Sequence, residues 1–128
     1  MRALLLSAGL GTRLLPVTKT IPKCLVPING KPLLDYWLEQ LLQNKIERIL
    51  VNTHYQPEQV VNHIEQSKYK EFVDIVHEDT LLNTGGTLLK NKNYFNNEAL
   101  MLVHADNLCV CDWSSFIASH QNRHEEVV

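Results

Sequence analysis

Residues 6–23 read LSAGLGTRLLPVTKTIPK, and their types suit a loop that holds anions. Gly9 and Gly11 let the backbone come close to a phosphate group with amide hydrogens directed at it, and Arg13 adds a forked cation alongside. Lys23 follows Pro22 directly, which puts a compact point charge at a stiffened position at the far end of the loop. Pro16 and Pro27 stiffen the rest. Cations at both ends of one loop suggest two phosphate-bearing ligands. Two familiar phosphate loops are excluded. A dinucleotide fingerprint needs a glycine where Leu14 stands, an immediate helix, and an acid where Asn52 ends the second strand; a P-loop needs Ser or Thr after Gly30 and Lys31, where Pro32 stands.

A loop of this kind needs a rigid frame, and the rest of the chain spells one out. Residues 2–7 form an apolar run suited to a buried strand, and residues 8–31 then read as a long loop, a length usually reserved for function. Pro32 can open a helix over 33–44, with Leu34, Trp37, Leu38, Leu41 and Leu42 on one stripe. A strand is expected at 47–52, and a helix at 57–66 with Val60, Val61 and Ile64 turned inward. Further strands are expected at 72–77 and 99–103, with Gly85 and Gly86 preceding a short helix through Leu88 and Leu89, and a last helix over 113–121. Strands alternating with helices predict a three-layer α/β fold with a mostly parallel, right-handedly connected sheet of Rossmann-like topology. Ligands of such sheets sit beyond the strands' carboxyl ends, where residues 7–13, 52–55, 77–79 and 104–107 would meet.

The chain of 128 residues is one domain's worth, and residues 1–128 are read as a single domain. A formal charge of −2 gives no general reason to expect nucleic acid, and no apolar run approaches the roughly 20 residues of a membrane span, so a cytoplasmic protein is expected. Cys24, Cys109 and Cys111 read as reduced packing residues, the last two on one face if they lie in a strand. The histidines show no metal-ligand spacing and are expected to be structural or solvent-facing. Lys19 and Lys31 read as solvated charges, and Trp37 as core.

GLGTRLLPVTKTIPKCLVPINGKPLLDY resembles the signature of the sugar-phosphate nucleotidyltransferases, the pyrophosphorylases that make nucleotide sugars: GxGTRLxPxT, then PKxLxPI, then GKPLxxY. That resemblance implies a GT-A-like fold and Mg²⁺-dependent transfer of a nucleoside monophosphate from a triphosphate to a sugar 1-phosphate, with pyrophosphate released. It implies nucleotide contacts from Ala8, Gly9, Gly11 and Thr12, and catalytic roles for Arg13 on the triphosphate and Lys23 on the attacking phosphate. HAD at 104–106 makes Asp106 the match for a magnesium-binding aspartate. Glu78 stands five residues before LNTGG, matching a base-reading stretch, so Glu78, Asn83, Thr84 and Gly85 are the implied base-side contacts. Asn83 replaces the family's usual glycine, and Asn tolerates the left-handed backbone better than most residues. VNTHY, TGG and HAD are similar to the mannose 1-phosphate guanylyltransferase branch, which favours GTP, then UTP. Family catalytic domains are longer than this chain, so a truncated, N-terminal portion is expected, with residues 127–128 opening a further strand. An incomplete nucleotide-binding module without turnover is the alternative, and an exposed sheet edge would favour a homo-oligomer.

Overall fold

The computed structural model describes residues 1–123. Strand β1 (Arg2–Leu6) enters the long loop, where β2 (Pro27–Ile28) and β3 (Lys31–Pro32) form a small antiparallel hairpin before α1 (Leu33–Gln43). Strand β4 (Arg48–Thr53), α2 (Pro57–Glu65), β5 (Val73–His77), α3 (Asn83–Lys90), β6 (Leu100–His104) and α4 (Trp113–Asn122) then alternate. The main sheet has the order β5-β4-β1-β6, and each neighbouring pair is parallel.

Parallel strands covered on both faces must be apolar throughout, and Ala3, Leu4 and Leu5 at the centre of β1 are each 0% exposed. Their side chains alternate between faces. Ala3 and Leu5 join Leu34, Trp37, Leu38 and Leu41 of α1 and Val60 and Ile64 of α2, with Trp113 of α4 packed on that core. Leu4 points the other way, to Leu50 and Phe95, with Leu88 of α3 against them. The sheet therefore lies between two helical layers.

Several expectations need correction. Val61 is exposed, because the nine-residue α2 presents only the i, i+4 pair Val60 and Ile64 to the sheet and Val61 sits about a quarter-turn away. Gly85 and Gly86 lie inside α3, whose start is held by side-chain bonds described below that offset the roughly 1 kcal/mol each glycine costs. Residues 8–31 are tightly turned, with 3₁₀ segments at Thr12–Leu14, Val17–Lys19 and Lys23–Leu25. Lys31 is no free charge: it pairs with Glu39 and lies 4.5 Å from the Tyr36 ring centre. Cys24 is buried as expected, whereas Cys109 and Cys111 are exposed in an irregular segment between β6 and α4. His124 and residues 127–128 lie outside the described residues.

Trimming Leu38 to alanine removes a side chain with 0% exposure from the α1 face of the core. Urea unfolding of Leu38→Ala should show a loss of about 2–5 kcal/mol, whereas Leu89→Ala, at 68% exposure, should stay within about 0.5 kcal/mol of the parent.

Candidate functional site

Because the main strands run parallel, their carboxyl ends share one rim, with Leu6 in register with both Asn52 and His104. The rim borders a cavity of about 200 Å³. Ser7, Ala8 and Gly9 line it after β1, Lys23 and Cys24 from the loop, Asn52 from β4 and Glu78 after β5. Leu81, Asn83, Thr84 and Thr87 line it from the start of α3, and His104, Ala105 and Asp106 from the end of β6.

Of the residues singled out from the sequence, Ala8, Gly9, Lys23, Glu78, Asn83, Thr84 and Asp106 are thus brought together. Gly9 leaves open space where a Cβ would stand. Gly11, Thr12, Arg13 and Gly85 are not part of the lining. Gly11 has φ +67°, and a Cβ there would stand 2.8 Å from Thr18 Cγ2 and 3.3 Å from Lys23 Cβ, so this glycine seats the turn against the loop itself. Thr18, 1% exposed, locks that turn by donating its hydroxyl to the Gly11 carbonyl at 2.6 Å. Thr12 and Arg13 consequently project from the next turn into solvent. The Tyr55 hydroxyl donates to the Thr18 carbonyl at 3.0 Å and Gln59 to the Thr20 carbonyl at 2.8 Å, so the start of α2 straps the loop down.

Lys23 and Asp106 come from opposite ends of the sequence and form an ion pair at 2.8 Å across the cavity mouth. The lysine's hydrogen bond holds the Asp106 carboxyl below its usual range against the opposing effect of burial. Beside them the Cys24 thiol is pushed up to about 12 by burial, which leaves it protonated and inert.

Glu78, expected as a base contact, is 1% exposed and already occupied. Its carboxylate accepts from Asn52 Nδ2 at 3.0 Å, from the Thr87 hydroxyl, and from the Leu82 amide at 3.2 Å. Burial alone would raise its pKa; the bonds from Thr87, Asn52 and Leu82 outweigh that and lower it. Asn52 continues the chain of contacts by accepting from the Ser7 amide at 2.7 Å, while Ser7 Oγ donates to the Asn52 carbonyl. His54 Nδ1 lies 2.7 Å from the Glu78 carbonyl oxygen. The network ties the ends of β1, β4 and β5 to the first turn of α3, where Asn83 takes φ +59°, the left-handed backbone that asparagine was expected to tolerate. Asn52, Thr87 and Thr18 were not singled out as site residues. Asn52 carried a signal, a polar residue closing the apolar strand ILVN, and Thr18 is the last fixed position of GxGTRLxPxT; Thr87 carried none.

Among the described residues, no group of three or more His, Cys, Asp or Glu side chains is placed to hold a metal, and no helix is long and apolar enough to cross a membrane. The sequence pattern of the nucleotidyl transferase family matches residues 2–128. The chain belongs to that family. It is 30% identical over 135 residues to a UTP–glucose-1-phosphate uridylyltransferase of Synechocystis, covering 96% of this chain and 35% of that protein. It is 37% identical over 102 residues to a bifunctional sugar-1-phosphate nucleotidylyltransferase/acetyltransferase of Sulfurisphaera tokodaii, covering 80% of this chain and 24% of the relative. The crystal structure of HddC from Yersinia pseudotuberculosis complexed with GMP-PN superposes with a TM-score of 0.79 at 30% identity, covering 94% of this chain and 54% of that one. The chain thus spans about a third or less of these curated relatives and about half of the solved structure.

The Glu78 network has a pH signature. A carboxylate whose pKa is lowered in the fold favours the fold when ionised, so its contribution is complete above the ordinary value of 4.5 and is lost as pH falls through the lower folded value. Thermal melts of Glu78→Gln should fall below the parent at neutral pH, and the gap should narrow in acid; parallel curves down to strong acid would exclude the network as the cause.

Proposed function

We propose that this chain carries the nucleotide-binding part of a sugar-1-phosphate nucleotidyltransferase, which moves a nucleoside monophosphate from a triphosphate to a sugar 1-phosphate and releases pyrophosphate. The observation that carries the reading is the Lys23–Asp106 pair at the mouth of a cavity bordered by Ala8, Gly9, Asn83 and Thr84. The family membership and the chemistry of the nucleophile support it. A phosphate oxygen attacks the α-phosphorus already ionised, so no general base is needed, and the rim's lack of a nucleophile–base constellation is no obstacle.

What the chain must supply is positioning and charge. The backbone at Ala8 and Gly9 approaches the triphosphate, and the start of α3 at Asn83 and Thr84 meets the base, held in place by Glu78 through the Leu82 amide and Thr87. Arg13, projecting beyond the cavity, reaches the outer phosphates and the departing pyrophosphate. Lys23 exchanges Asp106 for phosphate oxygens, and Asp106 is thereby freed.

Asp106 fits a hard cation in a limited sense. It is a single half-exposed carboxylate, and Mg²⁺ in phosphoryl-transfer sites uses one or two carboxylates with waters and substrate phosphates as the remaining ligands. Bound there, Mg²⁺ would neutralise charge on the phosphates in transfer. GTP is the favoured triphosphate, supported by the GMP-PN complex of HddC, and UTP is next, supported by the uridylyltransferase relative. That Arg13 lies outside the cavity lining favours one second reading, a module that binds nucleotide without turnover.

Two measurements separate these outcomes. With Mg²⁺, GTP and mannose 1-phosphate, or UTP and glucose 1-phosphate, the chain should release pyrophosphate, and Lys23→Ala and Asp106→Asn should each reduce the rate by about 10²–10³. A triphosphate-dependent rise in melting temperature without pyrophosphate supports the module reading. No thermal shift with any of the four triphosphates overturns both.

A further inference from the structure

Cys109 and Cys111 stand apart from the cavity lining. Both are exposed, and both line one groove. Residues 108–110 belong to no helix or strand, so a change there breaks no regular hydrogen bonding. The segment is pinned on either side: Trp37 Nε1 donates to the Asn107 carbonyl at 2.7 Å, and Asp112 caps α4 by accepting from the Ser115 amide at 3.0 Å. Cysteines two apart in sequence stand at most about 7 Å from Cα to Cα, and a disulfide bridges up to about 6.8 Å, so the spacing lies within reach of a crosslink. The thiols border a groove of about 600 Å³, which gives a small disulfide access to them.

We propose that Cys109 and Cys111 form a redox-active vicinal dithiol that closes to an intrachain disulfide by exchange with a low-molecular-mass disulfide. The thiolate of one cysteine attacks a sulfur of the small disulfide, forming a mixed disulfide and expelling one small thiolate. The thiolate of the other then attacks the protein-bound sulfur, the Cys109–Cys111 bond forms, and the second small thiolate leaves. The protein loses two protons and two electrons, and the small disulfide is reduced to two thiols. Exposed or strained disulfides are the readily reduced ones, so the couple is reversible. Cys24, buried with its thiol at about 12, stays out of the exchange.

Treating the folded chain with oxidised glutathione, followed by acid quenching and intact mass measurement, tests this directly. The expected product is the chain lighter by two hydrogens, with peptide mapping placing the crosslink between residues 109 and 111 and dithiothreitol restoring the starting mass. Cys109→Ser and Cys111→Ser should each stop at one attached glutathione, and circular dichroism checks their fold. A parent chain that keeps one or two glutathiones, crosslinks to a second copy, or does not react overturns the proposal. A monosubstituted trivalent arsenical provides a second readout on the unmutated chain: one equivalent should block alkylation of both residues, and failure to protect both counts equally against it.

Discussion

A carboxylate buried to 1% exposure keeps its charge only when fixed donors replace the water it has lost, and Glu78 meets that condition through donors drawn from β4 and α3. Asn52 is the member that makes this more than a local contact. Its amide donates to Glu78 while its oxygen takes the Ser7 amide, so one side chain sets the spacing between the loop after β1 and the first turn of α3. Both segments depend on a sheet whose central strands are dry on each face. Only there do hydrogen bonds of this kind hold a fixed geometry, because competing water is absent.

The second constraint is electrostatic and sits at the cavity mouth. Lys23 and Asp106 neutralise each other at 2.8 Å. A pair that is partly exposed contributes little to stability, since water screens it. It holds two side chains from distant parts of the chain against each other beside the cavity. The loop carrying Lys23 gets its shape from Gly11, Thr18 and Tyr55, none of which lines the cavity. The loop's cation is positioned by packing beneath it.

Much of the architecture was legible because its signals are local. The apolar run of β1 and the stripe Leu34, Trp37, Leu38 and Leu41 follow from the periods of strand and helix, and the alternation of elements foretells a parallel sheet. Val61 misled because a stripe in a short helix does not say how wide a face its neighbours cover. Cys109 and Cys111 misled because cysteine's general preference for burial says nothing about a particular connecting segment.

By itself, the sequence determined the elements, the family signature and the set of residues near the strand ends, since propensity, period and motif spacing act over neighbouring positions. Only the tertiary structure decided that Lys23 meets Asp106, that Glu78 faces inward to Asn52 and Thr87, and that Gly11 seats a turn while Arg13 projects beyond the cavity. Those outcomes depend on contacts between residues up to 83 positions apart, and which donor satisfies a buried charge is settled only when the strands that carry both have packed side by side.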